Sequence, residues 1–215
     1  MHEVFVTGGT GYIGSRLIDA LAARGHRVRA LARPASVARL PAGCRPVPGD
    51  ALDAASFVAD VPPADTFVQL VGVPHPSPAK AAQFRAIDLP SALAGIAAAA
   101  EAGVRHFVYV SVAQPAPVMR AYVEARAEAE AALRASGLHA TILRPWYVLG
   151  PGHWWPYALV PGYWLAERFP PTRERALRLG LVTVGQMVGA LVAAVENPAS
   201  GVRLVDVPAI RAARP

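Results

Sequence analysis

The sequence predicts an α/β fold: a doubly wound parallel sheet with helices on both faces and a small lid region toward its C-terminal end. Three observations predict it. A short apolar strand runs into glycines spaced G-x-x-G-x-x-G, at Gly8, Gly11 and Gly14. Strand-like and helix-like stretches then alternate along the chain, the order that builds strand–helix–strand units with right-handed crossovers. The runs at 66–71, 106–112 and 140–143 are almost wholly apolar, as expected of parallel strands covered on both faces.

The elements follow in order. Residues 2–6 read as the first strand and 12–24 as an amphipathic helix. Residues 27–32 read as a second strand, 45–47 as a short third and 66–71 as a fourth. The alanine-rich stretch 79–102 reads as one long helix. A fifth strand is expected over 106–112, a helix over 119–136 and a sixth strand over 140–143. The last helix covers 184–196, before a final strand at 202–207. No internal repeat or long linker divides the chain, so 1–215 reads as a single domain, with 145–182 an aromatic-rich lid or pocket segment within it.

Composition narrows the class. At 215 residues the chain can bury a large core as one domain. Hydrophobic residues make up 53%, yet no apolar run approaches the roughly 18 residues that cross a bilayer. The chain opens directly on a strand, with no basic and apolar leader, and Cys44 is its only cysteine. Both point to a reducing cytoplasm. The six histidines show no metal-site spacing, so no metal is expected. The net charge of +6 comes from arginines spread along the chain, with Lys80 the single lysine. They do not cluster with aromatics as a nucleic-acid surface would.

The glycine turn carries the chemistry of the first segment, Thr7-Gly8-Gly9-Thr10-Gly11-Tyr12-Ile13-Gly14. Gly8 permits a tight turn off the strand, Gly11 lets the backbone approach a pyrophosphate, and Gly14 lets the helix pack closely. The free amides and positive dipole end of that helix face the phosphates. A dinucleotide is the expected ligand. Sites specific for NAD place a carboxylate after the second strand, to accept from the ribose 2′-hydroxyl. Here that stretch holds no acid but offers Arg33, with Ser36 nearby. A guanidinium binds a 2′-phosphate through two charge-assisted bonds, which favours NADP over NAD.

Taken together, these pieces resemble the short-chain dehydrogenase/reductase superfamily and its Rossmann fold. The resemblance is to its atypical NAD(P)H-binding branch, similar to the nitrogen-metabolite-repression regulators and to compact epimerase/dehydratase relatives. It rests on the glycine segment, Gly49-Asp50, Leu70-Val71-Gly72, the run 104–111, Ser136-Gly137-Leu138, and Thr141-Ile142-Leu143-Arg144-Pro145. The resemblance implies that Asp50 contacts the adenine, that Leu70, Val71 and Gly72 border the adenosine, and that Pro145 lies by the cofactor.

It also implies a catalytic set. Ser111 occupies the position of the family's serine, and Tyr122 with Arg126 matches a tyrosine followed four residues on by lysine. That spacing puts both on one helical face. The serine would polarise a carbonyl and the tyrosine would exchange the proton as hydride moves. Arginine in place of lysine departs from the pattern: it keeps the charge but not the shape, and it does not relay protons. The alternative is that Arg126 joins Glu124, Glu128, Glu130 and Arg134 in a charged helix face, with Glu130 and Arg134 spaced to pair.

All four tryptophans fall between 146 and 164 among prolines and glycines, so long helices are not expected before about residue 163. Trp146, Tyr147, Trp154 and Trp155 read as a substrate-pocket wall for a flat or apolar molecule. Packing inside the lid and an oligomer interface, such as a homodimer, compete with that role. A membrane contact is disfavoured because the segment shows no flanking basic helix face. Two functions of different kinds follow: an NADP-dependent oxidoreductase acting on a small apolar carbonyl or quinone, or an NADP(H)-binding redox-sensor or assembly module without turnover. An epimerase or dehydratase is a weaker third.

Overall fold

The computed structural model describes residues 1–152 and 155–213, with 155 and 156 described by backbone alone. The first half alternates β1 (Glu3–Thr7), α1 (Tyr12–Ala23), β2 (Arg27–Ala32), β3 (Arg45–Pro48) and β4 (Thr66–Gln69). There follow α2 (Ala81–Gln83), α3 (Leu89–Glu101), β5 (His106–Val110), α4 (Arg120–Ala135) and β6 (His139–Leu143). The C-terminal third contains β7 (Tyr147–Leu149), α5 (Val160–Ala166), α6 (Pro170–Arg178), β8 (Leu181–Thr183), α7 (Val184–Glu196), β9 (Val202–Val205) and α8 (Val207–Ala212).

Seven strands form one parallel sheet in the order β3-β2-β1-β4-β5-β6-β9. Successive side chains of a strand point to opposite faces, and the core divides accordingly. Val4, Val6, Val68 and Val108 bury one face against Leu17, Ile18 and Leu21 of α1 and Met187, Leu191 and Val195 of α7. Phe5, Phe67 and Phe107 lie in register across β1, β4 and β5, with stacked neighbours at 5.2 and 5.1 Å. They bury the other face against α3 and α4. The predicted doubly wound Rossmann sheet is therefore the fold.

Several expected elements come out differently. The helix expected over 79–102 is interrupted by a π-helical turn, Phe84–Asp88, before α3. β4 stops at Gln69 and β5 at Val110, so Leu70–Gly72 and Ser111 lie just beyond the strand ends. Between 145 and 183 the described residues include the short α-helices α5 and α6 and the three-residue strands β7 and β8, which pair parallel as a second small sheet. The final strand ends at Val205, and Asp206 then caps α8 by accepting from the Ala209 amide.

Candidate functional site

In the strand order β3-β2-β1-β4, the chain winds one way from β1 and then crosses back to β4. This reversal opens a crevice at the carboxyl ends of β1 and β4, where doubly wound sheets bind ligands. The loop after β1 is built for close approach. Gly8 has φ +74°, and a Cβ there would lie 2.8 Å from the Leu70 carbonyl carbon. A Cβ on Gly14 would run into the Gly8 carbonyl oxygen and sit 2.9 Å from the Gly9 Cα. Any side chain at either position would push loop, helix and β4 apart.

Gly11 caps α1 without a side-chain bond, and no acid stands in the helix's first turn. The first amides of the helix are thus left for an anion, and the dipole there is positive. The exposed Gly11 lies at the mouth, whereas Gly9 is buried against Ile18, Leu40 and Ala30. Ile13 packs into the core beside α7. Thr10 is half-buried in the turn. Tyr12 lies under Arg16, whose guanidinium carbon is 4.2 Å from the ring centroid, and burial raises its hydroxyl pKa. A Cβ on Gly150 would overlap the Tyr12 hydroxyl, so the glycine turn is packed directly against the end of β7. The cradle left by the glycines and the uncapped helix fit a dinucleotide diphosphate.

The strand order also places the expected adenosine-side residues along one edge. Arg33 is exposed at the end of β2, and its carbonyl accepts from the half-buried Ser36 amide at 2.7 Å. Asp50 is exposed after β3, with its carboxylate accepting from the Leu52 amide. Leu70, Val71 and Gly72 are half-buried after β4. Pro145 is buried after β6, its carbonyl accepting from the Ala113 amide at 2.9 Å.

Beneath this edge runs a buried polar chain. The Thr7 hydroxyl donates to the Gln69 side-chain oxygen, Gln69 Nε2 donates to Ser91 Oγ at 3.3 Å, and Ser91 donates to the Asp88 carbonyl at 3.1 Å. The Thr7 side chain therefore ties β1 to β4. Asp88 and Arg126 form a buried ion pair, with Nη2 to Oδ1 at 2.6 Å. The other Asp88 oxygen accepts from the Val73 amide at 3.0 Å, and Arg126 Nη1 donates to the Val110 carbonyl at 2.8 Å. The pair binds together the loop after β4, the π-helical turn, α4 and the end of β5. A Cβ on Gly72 would overlap the guanidinium, so this glycine makes room for the arginine. Burial raises the Asp88 pKa, with Arg126 pulling the other way. Burial also disfavours the Arg126 charge, but Tyr122, Tyr109 and Asp88 hold its pKa above the usual value.

At the end of β5, Arg126 reaches both the Tyr122 ring and the Val110 carbonyl, while the next residue, Ser111, turns to Glu130. The half-buried Tyr122 packs on Phe84 with centroids 4.9 Å apart, and the Arg126 guanidinium carbon lies 5.2 Å from its ring. Ser111 is buried, and its hydroxyl donates to Glu130 Oε1 at 2.6 Å. That carboxylate also accepts from Gln114 at 2.8 Å and from Arg144, whose Nε lies at 3.0 Å. Arg126 and Glu130 are thus not part of a solvated helix face. Glu130 keeps its expected neighbour Arg134 at 3.8 Å, but its short contacts point inward. Sequence reasoning missed Asp88 as a site residue. The available signal was its isolation, since it is the only acid between residues 66 and 100.

In the aromatic segment, Trp146 and Tyr147 are half-buried and meet edge to face at 5.6 Å. Trp154, and the side chain of Trp155, lie outside the described residues.

Comparison with known proteins agrees with this construction. Residues 8–151 match the NAD(P)H-binding family. The chain is 34% identical to a 3-diazoavenalumate denitrifying reductase from a Streptomyces species, over 93% of this chain and 74% of that protein. It is 31% identical to a ceramide reductase from Caulobacter vibrioides, over 95% of this chain and 64% of that protein. The chain thus spans somewhat less than two thirds of the second relative. Among solved structures, MoeE5 in complex with UDP-glucuronic acid and NAD aligns with a TM-score of 0.71 at 23% identity, over 95% of this chain and 76% of that one. Bordetella bronchiseptica WbmH in complex with NAD+ aligns at 0.70 and 21% identity, over 96% and 75%. These two likenesses are of fold. With its glycine cradle, its strand order and the match over most of its length, the chain belongs to the NAD(P)H-binding family.

Proposed function

We propose that the protein is an NADP-dependent oxidoreductase acting on a small apolar carbonyl or quinone. The observation that carries the reading is the uncapped start of α1, set by Gly8 and Gly14 against the end of β4. The reductase names of its two relatives support the reaction class. Amides of the first turn of α1, from Tyr12 onward, hold the diphosphate, Arg33 and Ser36 take the 2′-phosphate, and Asp50 with Leu70–Gly72 flank the adenosine. When bound, the nicotinamide supplies the hydride. Tyr122 holds the proton at its hydroxyl, over the pocket that Trp146 and Tyr147 wall. Arg126 positions Tyr122 by packing under its ring. Ser111 reaches a carbonyl only by turning its hydroxyl away from Glu130.

That last requirement favours a second reading. Arg126 and Ser111 are both committed to carboxylates, which supports an NADP(H)-binding sensor without turnover. Fluorescence titration with NADPH and NADH, followed by NADPH oxidation against carbonyls and quinones, separates the readings. Tight NADPH binding with turnover that Tyr122→Phe abolishes supports the enzyme. Binding without turnover on any substrate supports the sensor, and tighter NADH binding overturns the assignment of Arg33.

A further inference from the structure

We propose that the helical pair α5–α6 is a docking surface for an anionic phospholipid membrane. Among the described residues, five of the eleven exposed large hydrophobic side chains lie within residues 157–169: Tyr157, Val160, Trp164, Leu165 and Phe169. Their exposures run from 40% at Val160 to 57% at Trp164. Within α5, Val160 and Trp164 stand one turn apart on the same face with Leu165 beside them, while Tyr157 precedes the helix and Phe169 leads into α6, so the five form a local apolar patch.

Arginines lie close to this patch in sequence, Arg168 between the two helices and Arg173 and Arg175 on α6. The two acids of the segment are already engaged, Glu167 with Arg211 at 2.8 Å and Glu174 with Arg178 at 3.3 Å. Arg168, Arg173 and Arg175 are exposed and have no carboxylate partner among the described residues. Arg168 lies over Trp164, its guanidinium carbon 3.5 Å from the ring centroid. Exposed Trp, Leu and Phe beside unpaired arginines is the pattern of a helix seated in the headgroup layer. The charge selects the surface, because arginines near anionic lipids add attraction that zwitterionic lipids do not. A cavity of about 430 Å³ between the two helices has Leu159, Tyr163, Ala176 and Leu179 in its walls and Arg175 among its lining residues. It can accept an acyl chain whose headgroup stays at the arginine. A second copy meeting this face by two-fold symmetry would cover the apolar patch but would set its own arginines against these three.

The test is flotation of the full chain with phosphatidylcholine vesicles, with and without about a third phosphatidylglycerol. The expected result is binding to the phosphatidylglycerol vesicles that weakens as salt is raised. Arg168→Gln with Arg173→Gln should weaken it about 30-fold, from roughly a fivefold loss per arginine at an anionic surface. Trp164→Ala with Phe169→Ala should weaken binding further, while unchanged circular dichroism and NADPH affinity show that fold and cofactor site are intact. No flotation with either vesicle overturns the proposal. So does equal, salt-insensitive binding to both, or a concentration-dependent dimer that the Trp164 variant dissociates.

Discussion

Arg126→Met separates a structural from a chemical role for this arginine. Asp88 is fully buried, and Arg126 Nη2 is 2.6 Å from its Oδ1. Without the cation, a carboxylate that burial already disfavours loses its main opposing charge. Removing one partner of a buried pair costs about 3–5 kcal/mol. That is a large share of the roughly 5–15 kcal/mol by which a domain is stable. The variant also loses the bond to the Val110 carbonyl, so the upper half of the range is expected. Adding Asp88→Asn removes the stranded charge and keeps an oxygen for the Val73 amide. The double variant should then recover at least about 2 kcal/mol. Urea unfolding followed by tryptophan fluorescence measures both, provided the slope against denaturant is unchanged. If Arg126→Met stays within about 1 kcal/mol of the parent, or the double variant is no better, the ion-pair reasoning is wrong. A variant of normal stability that has lost turnover would move Arg126 into the reaction itself.

Three further outcomes are expected. Gly14→Ala should weaken NADPH binding more than tenfold and lower the melting temperature, since its Cβ meets the Gly8 carbonyl, while Gly185→Ala, whose Cβ would make only an ordinary 3.9 Å contact with the Thr183 hydroxyl, should leave binding unchanged. Arg33→Asp should reverse cofactor preference by repelling the 2′-phosphate, read as the ratio of NADPH to NADH affinity; an unchanged ratio removes Arg33 from the site. Burial, with Arg203 and His139 adding to it, lowers the His106 pKa from 6.5 to about 4. The unfolded chain therefore binds the extra proton between those values. The stability this neutral histidine contributes is complete above pH 6.5 and falls by about 1.4 kcal/mol per pH unit as the pH drops toward 4. Urea midpoints at several pH values should show that slope, and His106→Gln should flatten it.

The sheet and its crevice were legible in the residues. Three glycines after a strand, alternating elements and apolar runs are local signals, and each reflects what a parallel strand or a turn next to a helix requires of its own residues. Pairings between distant segments leave no such mark. β7 and β8 join residues 147–149 to 181–183, and nothing in either triplet names the other. Arg126 and Glu130 carry the spacing of a solvated helix face, yet both turn inward because Asp88 and Arg144 wait there from other elements. The helix at 79–102 reads as continuous by composition, while the fold places a π-helical turn there that sets Asp88 between the Val73 amide and Arg126. That Arg168, Arg173 and Arg175 have no carboxylate partner among the described residues likewise emerged only once Glu167 and Glu174 had found theirs. Local preference is written residue by residue and is readable from one chain alone. Which charges are neutralised, and which hydroxyls are held, depends on what other elements bring within about 3 Å, and that is decided by packing.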